Sequence, residues 1–342
     1  MRIAITVPTQ DPRASGATFA ALEAAGYDTG FSFESRHDPF LPLALAAEHT
    51  AHLRLGTAVA IGFARNPMVL ANVGYDLQVL SEGRFVLGLG SQVRPHIENR
   101  FGETWSHPAR RMRELVSAIR AIWAAWEGGA ELRFEGELYR HTLMTPAFDP
   151  GPNPFGTPPV FVGGFGPRMV AVAGEVADGL IVHPFTTRRS LEELVLPALA
   201  GGAERSGRSI DDVEVVWVTN VVTWSDEVER RTALASIKGQ LAFYGSTPAY
   251  ASTLALHGYG DLHLELNALS KQGRWDDMAE RFPDALVAEL AVVGSRDEIA
   301  EQIVARVAGI TDSVGLVNSR NPDPGHFADV VADLRRRTGP PA

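Results

Sequence analysis

The chain of 342 residues contains no cysteine. Disulfide bonds, thiol nucleophiles and metal sites built on cysteine are therefore excluded. Long apolar runs are also missing, since none approaches the roughly 20 residues that cross a bilayer as a helix. The first residues, MRIAITVP, read as a strand and lack the basic segment and apolar core of a signal peptide. We therefore expect a cytoplasmic protein with no membrane partner.

Positive charge is in deficit. The sequence has 31 Lys and Arg residues against 41 Asp and Glu residues, a formal net charge of -10. Such a balance argues against nucleic acids and anionic membranes as partners. The hydrophobic fraction of 45% is sufficient for a large buried core.

Motifs of hydrolases and metalloenzymes are missing as well. No Gly-x-Ser-x-Gly elbow accompanies a histidine and an acid, so a hydrolase triad has little support. Asp261, His263 and Glu265 alternate as metal ligands can, but an exposed strand face or a loop gives the same alternation. No triplet with the spacing of zinc ligands accompanies them, and we predict no metal site.

What the sequence does contain is a regular alternation of apolar strands and amphipathic helices. Strands are predicted near Arg2–Val7, Gly30–Glu34, Leu53–Ala60, Arg84–Leu89, Val160–Val162, Gly179–Val182, Val213–Thr223 and Ser313–Val317. Helices are predicted at Ser15–Ala25, Pro42–Thr50, Pro67–Leu80, Pro108–Trp126, Pro167–Glu175, Leu191–Arg205 and Ser225–Tyr244. This order predicts a parallel sheet, and eight strand–helix repeats favour its closure into a (β/α)8 TIM barrel. A doubly wound open sheet is the alternative.

Two stretches interrupt the alternation. Residues 127–157 are rich in Gly and Pro, and residues 246–290 are longer and partly helical. They read as insertions after the fourth and seventh strands. A capping box, Ser295 to Glu298, opens a further helix that ends near Val307. No linker is evident, so we predict a single domain over residues 1–342.

A glycine-rich turn follows the fifth strand in the stretch PPVFVGGFGPRMVAVAGEVADGLIVHP. Gly163, Gly164 and Gly166 let the backbone approach a ligand closely, and Pro167 suits the first turn of a helix. Free N–H groups at that turn, which ends with Arg168, can bind a phosphate or a carboxylate. A tight turn without a ligand is an equally good interpretation of these residues alone.

Polar residues follow most of the strands, where a barrel enzyme places its chemistry. His37, His96 and His183 come after the second, fourth and sixth strands, and Asn318-Ser319-Arg320 follow the eighth. Solvated turns would give the same pattern for any single histidine. Convergence of three on one face favours a role for at least one of them.

Several longer motifs occur in a fixed order: GYDTGFSFESRHDPFLPLALAAEHT, LRLGTAVAIGFARNP, LSEGRFVLGLGSQVRPH, HPARRMRELVSAIRAIW and the ADG at residues 177–179. On these motifs the chain resembles the luciferase-like flavin and deazaflavin oxidoreductases, and within them the branch that uses coenzyme F420. The resemblance extends from the first strand to the final helix. It implies a (β/α)8 barrel, a cofactor ring at the C-terminal mouth and, often, a homodimer.

The resemblance also implies roles for individual residues. The loop Gly163–Arg168 would hold the cofactor's phosphate through backbone N–H groups, and a bulge with a cis peptide at Ala58–Val59 would back the ring. Ser91 and Gln92 would lie at the ring edge, with Glu34 near its polar side. In many relatives a histidine directly follows the acid of the second strand. Here Ser35 stands in that place, and His37 comes two residues later.

The predicted activity is hydride transfer between F420 and a small organic substrate. His37 is the first choice to move the accompanying proton, with His96 second and Glu34 as an orienting partner. Arg94 and His183 are candidate substrate contacts, although a solvent-facing arginine fits Arg94 equally well. The alternatives are an FMN-dependent monooxygenase on the same barrel and a non-catalytic barrel that binds a flavin.

Overall fold

Eight parallel strands close into a barrel in the computed structural model, which describes residues 1–311, 313–317, 323 and 325–340. The barrel strands are Arg2–Val7, Thr29–Ser32, Arg54–Thr57, Phe85–Gly90, Val160–Gly164, Gly179–Val182, Glu214–Trp224 and Ser313–Val317. Each pairs with the next in parallel register, and the eighth pairs with the first, Arg2 opposite Ser313. The predicted barrel is therefore confirmed. The predicted turn Asn318-Ser319-Arg320 lies outside the described residues.

Helices surround this barrel and form most of the second insertion. They are α1 Ser15–Ala24, α2 Leu41–His49, α3 Pro67–Leu80, α4 Arg94–Asn99, α5 Pro108–Gly128, α6 Pro167–Val176, α7 Arg188–Ser190, α8 Leu196–Arg205, α9 Glu227–Gly245, α10 Ala251–Leu256, α11 Gly260–Lys271, α12 Trp275–Arg281, α13 Asp284–Leu290, α14 Arg296–Val307 and α15 Ala328–Thr338. A π-helical stretch, Leu191–Val195, joins α7 to α8. Short 3-10 segments lie at Pro12–Ala14, Gly62–Ala64, Pro146–Phe148, Ile210–Asp212 and Pro248–Tyr250.

The barrel interior is filled by side chains at alternate strand positions, as strand geometry requires. The buried apolar side chains of this interior come from six of the strands. They are Ala4, Phe31, Val86, Phe161, Ile181, Val216 and Val218. At the N-terminal end, Glu214 binds Arg2 at 3.0 Å and Arg54 at 2.8 Å. The Arg54 guanidinium also lies 5.0 Å from the centre of the Phe161 ring. This end is closed by an ionic layer, so a ligand site is expected at the opposite, C-terminal end.

The second insertion forms four helices, α10 to α13, which share a hydrophobic core with α9. That core includes Leu254, Leu266 and Met278, and it extends to Phe185 and Val222 of the barrel. One detail of this insertion differs from the sequence-based expectation. Asp261, His263 and Glu265 lie on helix α11 rather than on a strand or loop.

A ninth parallel strand, Ala291–Ser295, was missed. It pairs with the second half of the seventh barrel strand, Asn220 opposite Ala291. Its apolar run is short and directly follows α13, so the sequence gives little sign of it. The capping box at Ser295 and the helix to Val307 are confirmed.

The first insertion contains a small antiparallel hairpin, Phe134–Glu135 with Arg140–His141, and a short strand Ala60–Ile61 follows the third barrel strand. Among the described residues, no helix is both long and apolar enough to cross a membrane. The division of the chain into one domain stays a prediction.

Candidate active site

Small residues form one side of the barrel mouth. Gly88, Gly90 and Gly163 occupy inward positions on the fourth and fifth strands, where any side chain would collide. A Cβ on Gly88 would lie 1.8 Å from the Thr57 carbonyl oxygen, and one on Gly90 would lie 2.4 Å from Val59 Cγ2. On Gly163 it would lie 2.9 Å from Val59 Cγ1. Val59 therefore rests on bare backbone of two neighbouring strands.

The peptide bond between Ala58 and Val59 is cis, as the resemblance implies. It interrupts the third strand after Thr57. Ala58 N donates to the Ser32 carbonyl at 2.7 Å, and Glu34 N donates to the Val59 carbonyl at 3.2 Å. The bulge is thus tied to the end of the second strand. Ala58 and Val59 both lie against the interior barrel cluster.

Glu34 is held by partners other than the histidine proposed from the sequence. Its carboxylate accepts from Ile61 N at 2.8 Å and from the Arg65 guanidinium. Arg65 also binds Asp38 at 3.1 Å and the Ile61 carbonyl at 3.2 Å. The side chains of Glu34 and Arg65 are only 7% and 17% exposed. This ion pair joins the loops after the second and third strands.

His37 lies half-buried in the loop after the second strand. No hydrogen bond links it to Glu34 in the described structure, because the Glu34 carboxylate is turned toward Arg65. Asp38 caps the following turn by accepting from Phe40 N at 2.8 Å. Arg100 donates to the Ser35 carbonyl at 2.7 Å and fastens this loop to the one after the fourth strand. Glu34 therefore makes no direct hydrogen bond to His37 within the described residues, and its orienting role stays a prediction.

Ser91 and Gln92 follow the fourth strand directly. Gln92 adopts a left-handed φ of 59°, and its side-chain oxygen accepts from Val93 N at 2.9 Å. Ser91 Oγ donates to the Gln92 carbonyl at 3.0 Å. Arg94 and His96 lie farther along, exposed on α4. Arg94 pairs with Glu98 one turn on at 2.9 Å, so its charge already has a partner.

The glycine loop has the predicted strand, turn and helix. The fifth strand ends at Gly164, and α6 begins at Pro167. Gly166 is the N-cap and supplies no side chain, so no side-chain hydrogen bond caps the first turn. A Cβ on Gly166 would meet nothing within 4 Å. Space is therefore open at the helix N-terminus, where backbone N–H groups favour an anion.

His183 stands beside this loop in an aromatic enclosure. Its ring stacks on Tyr250 with centroids 4.5 Å apart and meets Tyr244 edge-on at 4.9 Å. Phe165 of the glycine loop lies 6.1 Å away, also edge-on. The fifth and sixth strands are register partners up to Gly164 and Val182, which places Phe165 and His183 next to each other.

The enclosure fixes the ionisation state of His183. Burial lowers the pKa of the imidazole to about 3. Phe185 N donates to Nδ1 at 3.1 Å, so the proton of the neutral ring is on Nε2. Burial also raises the pKa of the Tyr250 hydroxyl, with a smaller contribution from Tyr244. His183 is therefore a neutral hydrogen-bond donor at the mouth.

Three residues of this region had no assigned role in the sequence analysis: Arg65, Tyr244 and Tyr250. Arg65 carried a signal, since it follows a barrel strand. The tyrosines did not, because they lie at the boundary of α9 and the insertion, more than 60 residues from His183.

Comparison with known proteins decides the family. A family model described as luciferase-like monooxygenase matches residues 2–313. The chain belongs to this luciferase-like family. An uncharacterized protein of Mycobacterium tuberculosis is 51% identical over 309 residues, covering 90% of this chain and 91% of its own. A second M. tuberculosis protein, whose name proposes a coenzyme F420-dependent oxidoreductase, is 32% identical and covers 91% and 92%.

Among solved structures, the F420-dependent tetrahydromethanopterin reductase from Methanopyrus kandleri superposes with a TM-score of 0.79. The match covers 97% of each chain at 20% identity, which supports the luciferase-like barrel fold but not a shared substrate. Family membership makes this chain an oxidoreductase of the luciferase-like type. The mouth fits a flat cofactor: Val59 on glycine backbone gives an apolar support, and the uncapped loop gives free N–H groups.

Proposed function

We propose that the protein is an F420-dependent oxidoreductase that transfers a hydride between the deazaflavin and a small organic substrate. The observation that carries the proposal is the position of Val59 over Gly90 and Gly163, directly beside the open N-terminus of α6. A ring with a phosphate-bearing chain needs these two features side by side. The 32% identical relative supports F420 as the cofactor.

Each part of the mouth has a separate task under this proposal. Ala58 and Val59 would back the ring, Ser91 and Gln92 would lie at its edge, and the loop Gly163–Arg168 would bind the phosphate. When bound, a deazaflavin supplies hydride transfer with little reactivity toward oxygen, because carbon replaces the reactive flavin nitrogen. The protein orients the partners and excludes water.

His37 is proposed to move the accompanying proton, with His96 as the second choice. Glu34 is proposed to act at a distance from this chemistry, since its ion pair with Arg65 positions the loop that carries His37. His183 is proposed as a substrate contact. Arg94 is a weaker candidate, because Glu98 already neutralises it.

The test is a titration of F420 and FMN against the purified protein, followed by intrinsic tryptophan fluorescence. We expect saturable binding of F420 at lower concentration than of FMN. Tight binding of FMN with oxygen consumption in the presence of a reductant would overturn the proposal.

The second candidate, an FMN-dependent monooxygenase, is favoured by the description of the family model itself. FMN ends in a phosphate that the same loop could hold. A third candidate, a non-catalytic flavin-binding barrel, predicts binding with no turnover. We further propose a cytoplasmic homodimer, which sedimentation of the purified protein would test.

A further inference from the structure

A groove on the outer face of the barrel begins where the glycine loop ends. It encloses about 440 Å³ between α5, α6 and α8. Four arginines line it, Arg110, Arg113, Arg168 and Arg205, and the rest of its wall is Ala, Pro and Gly. No carboxylate is part of that wall among the described residues. In a chain with a formal net charge of -10, this is a local reversal of sign.

The carboxylates that pair with these four arginines do not balance their positive charge. Arg113 and Arg205 share Glu175, whose side chain is 10% exposed, with Arg205 Nη2 at 2.8 Å. Burial alone would raise the pKa of Glu175, but the hydrogen bonds and charges of both arginines outweigh it and lower the pKa. Glu175 is therefore ionised and holds two guanidinium groups in place.

The other two arginines are more available. Arg110 pairs with Glu137, whose side chain is 71% exposed and free to move away. Arg168 has no ion-pair or hydrogen-bond partner for its side chain within the described part of the chain. Four cations thus face two anions, and a surplus of two positive charges stays in the groove.

The groove is continuous with the proposed phosphate site, since Pro167 and Arg168 belong to both. FMN ends at its phosphate. Coenzyme F420 continues beyond its phosphate through a lactyl unit to a chain of glutamates, whose carboxylates match spaced guanidinium groups. We infer that the groove of Arg110, Arg113, Arg168 and Arg205 binds the anionic tail of the cofactor beyond its phosphate. This inference rests on the proposed function, and it gives the chain a reason to prefer F420 to FMN.

The experiment compares equilibrium binding of F420 with several glutamates, F420 without glutamates and the deazariboflavin that lacks the phosphate. The test variant is Arg110→Ala/Arg168→Ala. The matched control is Arg133→Ala/Arg231→Ala, which also removes one exposed ion-paired arginine and one without a partner among the described residues. Ala171→Glu, a second test variant, places a carboxylate in the groove and removes no arginine.

At low ionic strength, we expect the glutamate tail to tighten binding to the native chain and to the control by about tenfold. Both test variants should lose this advantage, and added salt should reduce it, while affinity for the deazariboflavin that lacks the phosphate stays unchanged. Equal affinity of the native chain for the two phosphate-bearing forms would overturn the inference. So would a tail advantage that persists in both test variants.

Failure of the proposed function has a different signature, namely that no deazaflavin binds at all. Binding of tripolyphosphate to the native chain is then measured by calorimetry. If tripolyphosphate binds the native chain but not Arg110→Ala/Arg168→Ala, the groove binds a free polyanion, and the inference that it binds a cofactor tail is overturned. Absence of binding would overturn the groove as an anion site.

Discussion

A Cβ atom added to Gly163 would lie only 2.9 Å from Val59 Cγ1, although the two residues are more than 100 positions apart in the sequence. The bulge of the third strand and the end of the fifth are therefore fitted to each other through a missing side chain. Any cofactor ring at this mouth would rest on that contact.

Gly163→Ala should destabilise the fold, because Val59 has barrel side chains behind it and cannot retreat freely. We expect a loss of about 1–3 kcal/mol in the free energy of unfolding in urea. Val59→Ala in the same chain should recover most of it. Gly128→Ala is the control, since its Cβ meets nothing within 4 Å and alanine favours a helix. An unchanged stability in Gly163→Ala would contradict the fit.

Gly166→Ala tests phosphate binding by the glycine loop separately from the stability of the fold. Gly166 has φ −72° and open space around its Cβ position, so alanine fits without strain. The free energy of unfolding should change by less than about 1 kcal/mol. A methyl group in the open space should weaken a phosphate-bearing cofactor about tenfold and leave the phosphate-free analogue unaffected. An equal loss for both ligands would place the phosphate elsewhere.

Much of this arrangement was predictable from local patterns. The eight strands follow from apolar runs that alternate with helices, and the break of the third strand falls at Ala58–Val59 as expected. The glycine loop was predictable because Gly and Pro act on the backbone of their own segment.

The misses are contacts between distant segments. The ion pair of Glu34 with Arg65 from the next loop was not predicted, although Glu34 itself was a candidate site residue. Tyr250 stacks on His183 only because the second insertion returns over the mouth. No periodic pattern in the sequence marks Arg65 or Tyr250 as a partner, because both contacts depend on tertiary packing.

Arg65→Met should cost more stability than the loss of an exposed ion pair. It leaves the Glu34 carboxylate, 7% exposed, without its cation. We expect a loss of about 2–4 kcal/mol in urea unfolding. Arg94→Met, which breaks the pair between an Arg94 side chain 67% exposed and Glu98, should cost less than about 1 kcal/mol. Similar losses in the two variants would mean that Glu34 finds another partner.

His37→Ala should reduce turnover by about 10²–10⁴-fold if His37 moves the proton. Cofactor affinity should stay nearly unchanged, because no hydrogen bond or ring contact ties His37 to the glycine loop or to Val59 in the described structure. The parallel variant His96→Ala, on the exposed face of α4, should have a smaller effect. Turnover is followed by the absorbance of the deazaflavin. Full activity in His37→Ala with loss in His96→Ala would exchange the two roles.

His183 should make the protein less stable in mild acid. Its pKa is lowered to about 3 by burial, whereas in the unfolded chain the ordinary value is 6.5. Between these values only the unfolded state binds the proton, so stability falls as the pH drops below 6.5. By pH 4.5 the loss from this group should reach about 2.5 kcal/mol.

His183→Phe keeps an aromatic ring against Tyr250 but cannot titrate. It should show a lower stability at pH 7, since Phe185 N loses its acceptor, and a shallower decline toward pH 4.5. The measurement is urea unfolding at both pH values, with imidazole nitrogen NMR to follow the tautomer. Equal slopes for the native chain and His183→Phe would show that the ring takes up a proton within the folded enclosure.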